Sequence, residues 1–256
     1  MSIFSTIDST VLIVAAVLIG LAGGFVKGAV GFALPMILIS GLSTFLPPEV
    51  ALAGLILPTV VTNGVQALRH GLAEALASVK RFKVFLAVGA VMLLASSQLV
   101  TILPGRWILL AIGVPVTGFA VLQLTGWQAK RQENPSRVLE VGIAAFAGFV
   151  GGISGVWGPP TVAYLTILGT EKKEHMRVQG VIYGLGAVLL VFAHLKSGVL
   201  NAQTVPFSVA MLVPVLAGMW IGMRFHDRLD AVKFKRMTLA ILLIAGLNLI
   251  RKGLMG

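Results

Sequence analysis

From Thr10 to Leu46 the chain carries a single ionisable residue, Lys27, and apolar stretches of the same kind recur almost to the C-terminus. A bilayer core about 30 Å thick takes about 20 helical residues. Lipid offers no partner to an open backbone, so spanning segments close their own hydrogen bonds. Ten apolar segments recur, of which 31–46 and 157–169 are short for that span: 10–27, 31–46, 50–68, 84–103, 107–126, 138–155, 157–169, 178–195, 205–223 and 237–250. The alternating ten-residue strands of a membrane barrel do not occur. Of the 256 residues, 57% are hydrophobic and 11% charged, against about 25% charged in a soluble domain. A soluble fold of this size has too little interior to hide so much apolar side chain. The sequence predicts an all-α polytopic membrane protein.

The net charge of +11 does not point to nucleic acid. Nearly all Lys and Arg lie in connecting segments, as cytoplasmic loops require, and aromatic residues do not interleave with them as in a single-strand binder. With no cysteine, disulfide and thiol chemistry are excluded. No Lys or Arg precedes the first apolar run, so 10–27 is expected to be a retained helix and not a signal peptide.

Glycine punctuates this pattern twice. Gly24-Phe25-Val26-Lys27-Gly28-Ala29-Val30-Gly31 reads G-x-x-x-G-x-x-G, and the same spacing returns 127 residues later at Gly151, Gly155 and Gly158. Each stretch precedes a short segment, 31–46 or 157–169. Short, Gly/Pro-interrupted segments at matching places in two halves mark transporter binding sites. Basic residues are distributed oppositely in the two halves. Segment 69–83 holds Arg69, Lys80, Arg81 and Lys83, and its counterpart 196–210 only Lys196; 104–106 holds only Arg106, and 224–236 five basic residues. Opposite loop bias predicts two inverted five-segment repeats, 1–126 and 138–256, joined by a cytoplasmic linker 127–137, with both termini periplasmic. A four-plus-four arrangement with parallel repeats is the alternative, and the charges oppose it.

Lys27 has two roles open to it. A lysine at mid-bilayer costs about 2.5–3.5 kcal/mol on insertion scales, so it faces a cavity or partner; at a segment end it snorkels to the interface. The glycines likewise serve either close helix packing or a break that exposes backbone N–H groups. With Pro35, Pro159 and Pro160 nearby, the break is expected. Half-helices restarting at 31–46 and 157–169 would then aim positive N-termini at an anion near the midplane. In the 127-residue register Ser154 aligns with Lys27. Candidate substrate-binding residues are Gly24, Lys27, Gly28, Gly31, Asn63, Gln66, Gly151, Ser154, Gly155, Trp157, Gly158, Gln179 and Tyr183. Asn63 and Gln66 share a helix face with Thr59 and Thr62; interhelical hydrogen bonding is the other use of such residues. His194 is expected to be structural. All nine acidic residues lie in loops or at segment ends, so neither a catalytic carboxylate pair nor a metal centre is visible, and no cofactor is expected.

Gly151-Gly152-Ile153-Ser154-Gly155-Val156-Trp157-Gly158-Pro159-Pro160-Thr161-Val162-Ala163-Tyr164-Leu165, followed by a basic loop and Arg177-Val178-Gln179-Gly180-Val181-Ile182-Tyr183-Gly184, resembles the second-repeat signature of the TauE/SafE sulfite exporter family. Where many members have three successive glycines, this chain has Val30-Gly31-Phe32 and Trp157-Gly158-Pro159. The resemblance implies export of small sulfur-containing anions, such as sulfite or organosulfonates, across a bacterial inner membrane. Expected partners are a small anionic substrate, membrane lipid, a coupling proton or cation, and a second copy of the chain; nucleic acid is not one. An anion channel, a carrier for another small organic anion such as a carboxylate, a membrane enzyme and a structural subunit are the alternatives.

Overall fold

The computed structural model describes residues 10–31, 33–69, 71–127, 130–132, 135–170, 172–225 and 231–255. Of the expected linker, positions 128–129 and 133–134 lie outside the described residues, as do 226–230 of the basic segment 224–236. The described residues form eleven helices: α1 Thr10–Val30, α2 Leu34–Leu42, α3 Pro48–Leu68, α4 Leu72–Arg81, α5 Lys83–Ser97, α6 Gly105–Leu124, α7 Arg137–Ser154, α8 Gly158–Ile167, α9 Lys172–Ser197, α10 Val205–Phe225 and α11 Ala231–Met255. Seven of them (α1, α3, α6, α7, α9, α10 and α11) are long and apolar enough to cross a membrane. The protein is a multi-pass membrane protein, and large apolar side chains such as Val11, Phe146, Val213 and Ile244 cover its outer surface.

Each of the ten apolar segments coincides with one helix. The eleventh, α4, falls in 69–83, which reads as a loop by its charge. It is amphipathic: Leu72, Ala75, Leu76 and Val79 recur at helical spacing between Glu74, Lys80 and Arg81. Helices α2 and α8, at 9 and 10 residues, span about 15 Å at 1.5 Å per residue, half a bilayer core. Each folds back beside the helix before it. A Cβ at Gly23 would lie 3.1 Å from Leu34, and one at Gly41 would lie 2.9 Å from Ile19, so α1 and α2 run antiparallel.

Helix packing is set by backbone-to-backbone approach. A Cβ at Gly24 or Gly28 of α1 would sit 2.0 Å from Val215 O or 2.2 Å from Met219 O of α10, and Gly218 and Gly222 of α10 meet Leu21 O and Phe25 O of α1 as closely. These small residues let two helices touch along their main chains. Helices α5 and α7 do the same, with Gly148 over Gly89 O and Gly152 over Leu93 O. Both of these pairs run parallel. Helix α3 runs antiparallel to α9, since Gly180 faces Gln66 and Ala67 while Gly184 faces Asn63. Helix α6 runs antiparallel to α11, since Gly113 faces Gly246 and Ile250 while Gly253 faces Arg106.

Segment 69–83, the linker and 167–177 gather at one end of the molecule. Arg81 pairs with Glu174, and Arg177 pairs with Glu74 and lies 3.9 Å from Glu174, joining α4 to the start of α9. Gln132 of the linker donates its N–H to Ile167 O at 2.9 Å. Elsewhere Lys252 Nζ donates to Thr44 O at 2.5 Å, tying α11 to the turn after α2.

Candidate functional site

The two chain reversals meet around one small cavity. Helix α1 stays helical through Gly24 and Gly28 and ends only at Val30. Gly31 (φ +80°) then donates its N–H to Lys27 O, and Ala33 (φ +74°) caps α2 in the left-handed region, which non-glycine residues seldom occupy. Helix α7 ends at Ser154. Gly155 (φ +70°) donates to Gly151 O, and Trp157 caps α8. Both reversals use a left-handed C-terminal glycine to satisfy a final carbonyl. The expected break thus falls at the end of each stretch, at Gly31 and Ala33 and from Gly155 to Trp157, and the earlier glycines pack helices.

The helix ends give a different offset between the two stretches. The ends of α1 and α7, their capping glycines and the starts of α2 and α8 differ by 124 positions, three fewer than the glycine spacing suggests. At that offset Lys27 pairs with Gly151 and Ala33 with Trp157, whereas the glycine spacing pairs Lys27 with Ser154.

The cavity, of about 30 Å³, is lined by Lys27 of α1, Ala33, Pro35 and Met36 at the start of α2, Asn63 of α3, Phe119 of α6, Gly155 to Gly158 and Val162 around the start of α8, and Tyr183 of α9. It has room for about two water molecules. Lys27 is 3% exposed and does not snorkel. Its Nζ donates to Asn63 Oδ1 at 2.6 Å and to Gly31 O at 3.2 Å, and lies 5.9 Å from the Tyr183 ring centre. That ring is held in turn by a hydrogen bond from its hydroxyl to Gly158 O at 3.2 Å. Among the described residues no carboxylate forms an ion pair with Lys27. The ammonium rests on neutral oxygen acceptors and an aromatic face.

The structure thus brings together Lys27, Asn63, Gly155, Trp157, Gly158 and Tyr183, with Gly31 touching the lysine. The other candidates lie outside the cavity. Gly24 and Gly28 are pressed on α10, and Gly151 on the Trp157 ring. Ser154 is buried, with its hydroxyl donating to Val150 O at 2.7 Å and accepting from Val156 N–H at 3.1 Å. Gln66 lies one turn beyond Asn63, and the buried Gln179 one turn before Tyr183. Thr59 and Thr62 donate to carbonyls of their own helix. His194 Nε2 donates to Gly152 O at 3.1 Å, fixing α9 to α7. Phe119, Met36 and Val162 escape sequence reasoning because an apolar side chain in an apolar helix carries no mark. Ala33 had one available signal, its place just before the Leu34-Pro35 helix start.

At the two helix starts the donors are few. Pro35 leaves Leu34 and Met36 with N–H groups, and Pro159 with Pro160 leave Gly158. Chemically, the cavity presents one cation in an apolar wall beside the starts of α2 and α8, which suits a small anion. Residues 16–249 match the family model described as Sulfite exporter TauE/SafE. No curated protein and no solved structure matches the chain significantly.

Proposed function

This chain belongs to the TauE/SafE family, and from that premise we propose that it exports small sulfur-containing anions, such as sulfite or organosulfonates, by alternating access around the Lys27 cavity. The observation that carries this is the lysine itself. A buried ammonium costs several kcal/mol after relaxation, and Asn63 and Gly31 offer it partial charges only. An anion between Lys27 and the starts of α2 and α8 supplies the missing charge. The cavity's small volume supports an occluded carrier over an open channel.

Two inverted halves are part of the proposal. Pairing α1 with α7, α2 with α8, α3 with α9, α5 with α10 and α6 with α11 turns the α1–α10 contact into the α7–α5 contact. It also makes α3–α9 and α6–α11 contacts between counterparts, and both run antiparallel. Parallel repeats would leave counterparts parallel, so the helix directions support inversion. The gathering of 69–83, the linker and 167–177 at one end supports a shared cytoplasmic face, and with it the reading of a bacterial inner-membrane protein with both termini in the periplasm.

The test is calorimetric titration of the purified protein with sulfite, thiosulfate, methanesulfonate and acetate, repeated with Lys27→Ala. Binding of a sulfur oxyanion that Lys27→Ala loses is the expected result. Binding of acetate alone transfers the reading to carboxylates, and equal binding by the variant removes Lys27 from the site.

A further inference from the structure

Beside the Lys27 cavity lies a second, larger space of about 380 Å³ between α5, α7, α8 and α9, open on one side past the exposed Leu185 and Val188. Phe85, Ala90, Leu93, Ala147, Ile182 and Leu189 line it, and apart from Lys83 and Thr161 its wall is apolar. Trp157 is the one residue that lines both spaces. Two glycines are fitted to that ring: a Cβ at Gly151 would lie 2.7 Å from its Cε3, and one at Gly186 would lie 3.1 Å from its Cε2 and Cζ2. Tyr183 meets it edge-on at 6.4 Å and is the same ring that faces Lys27. The indole is 5% exposed. A side chain this closely seated, between a charged chamber that holds about two waters and an apolar one, acts as a partition.

We infer that Trp157 sets the length of the anion this protein accepts, confining the Lys27 chamber to head groups with little or no tail, and that the apolar chamber behind it takes the tail of an alkyl anion once the indole is gone. This rests on the Lys27 chamber being the anion site. An indole blocks a path that alanine leaves open, and the chamber beyond offers a methylene chain only carbon surface, where each added CH2 strengthens binding.

The experiment measures the affinity of 1-alkanesulfonates from one to eight carbons for the purified protein in nanodiscs of fixed lipid composition. It uses wild type, Trp157→Phe, Trp157→Ala and the double variant Trp157→Ala/Ala90→Phe, which refills the apolar chamber from α5. Wild type and Trp157→Phe are expected to bind methanesulfonate best and to lose affinity with length. Trp157→Ala is expected to gain about fourfold per methylene over the first few carbons, and the double variant to lose that gain. A flat profile in Trp157→Ala with methanesulfonate still bound overturns the inference and leaves the anion site standing. The same gain in wild type and Trp157→Ala reports partition into lipid and overturns it too. Loss of all binding in Trp157→Ala alone makes the indole a binding group and not a partition, again overturning it. If no sulfonate binds wild type or any variant, the anion reading falls and takes this inference with it.

Discussion

After α1 the chain reverses through Gly31 and Ala33; after α7 it reverses through Gly155 and Trp157. The two reversals share a backbone plan. Each ends on a left-handed glycine, each restarts in a short helix, and each long helix is pressed through a pair of glycines, Gly24 with Gly28 or Gly148 with Gly152, on a neighbouring main chain. Their side chains are exchanged. The first reversal has the large Lys27 and the small Ala33. The second has glycine at the lysine's place and tryptophan at the alanine's, and the tryptophan ring lies where a side chain on Gly151 would project. One break supplies charge and the other supplies wall. Glycines thus serve packing and reversal at both breaks, and the side chains at two matching positions set the breaks apart.

The shared packing predicts the largest effects. Gly24→Ala puts a methyl 2.0 Å from Val215 O, and Gly148→Ala puts one 2.2 Å from Gly89 O. Main-chain atoms cannot step aside singly, so the helices must part. Each variant is expected to lose about 3 kcal/mol, read as a lower unfolding transition in detergent. Gly142→Ala, on the same helix as Gly148 but with nothing within 4 Å, is expected to be neutral or to gain up to about 1 kcal/mol from helix propensity. If the two clashing variants differ sharply from each other, the breaks do not share a packing plan.

Lys27→Met tests the difference between the breaks. The ammonium is expected to contribute about 1.5–3 kcal/mol to an anion it contacts. Its removal should weaken sulfite binding roughly ten- to hundredfold while the protein still folds, since a buried charge replaced by an apolar side chain of similar volume is often tolerated. Retained affinity would mean that the charged break is not the binding break.

The exchange itself predicts coupling. Gly151→Ala meets the Trp157 ring 2.7 Å away and should cost about 1–2 kcal/mol in wild type, but little in Trp157→Ala, where the ring is absent. A double-mutant cycle on unfolding free energies would read the difference as an interaction term. Additive effects would show that Trp157 is not fitted to Gly151.

How far the sequence reaches follows from what marks a residue against an apolar background. Ten helices were legible because apolar length alone defines them. Helix α4 was not, because its charges read as loop and only its Leu72, Ala75, Leu76 and Val79 spacing told otherwise. Lys27, Asn63 and Tyr183 stand out as polar groups in apolar segments, and Trp157 as a bulky residue among glycines. Phe119 of α6 stands out in no way. The three-residue difference in register has a similar origin. Glycines four apart are so frequent in these helices that 24/28/31 matches 151/155/158 by spacing, although the jobs of Gly24 and Gly28 fall to Gly148 and Gly152. The positions of the helix ends and these packing contacts separate the two registers.

Ser154 is where the two registers give opposite outcomes. In the 127-residue register it faces Lys27 across the site, and its loss should weaken anion binding. In the 124-residue register it corresponds to Val30, and its hydroxyl serves its own chain end, taking Val156 N–H at 3.1 Å and donating to Val150 O at 2.7 Å. Ser154→Ala removes a partner from one buried N–H beside the reversal, which is expected to cost about 1 kcal/mol. The unfolding transition should fall slightly while sulfite affinity stays within about twofold of wild type, well short of the ten- to hundredfold loss expected for Lys27→Met. A large loss of affinity with unchanged stability would restore the 127-residue register and put Ser154 back opposite the lysine.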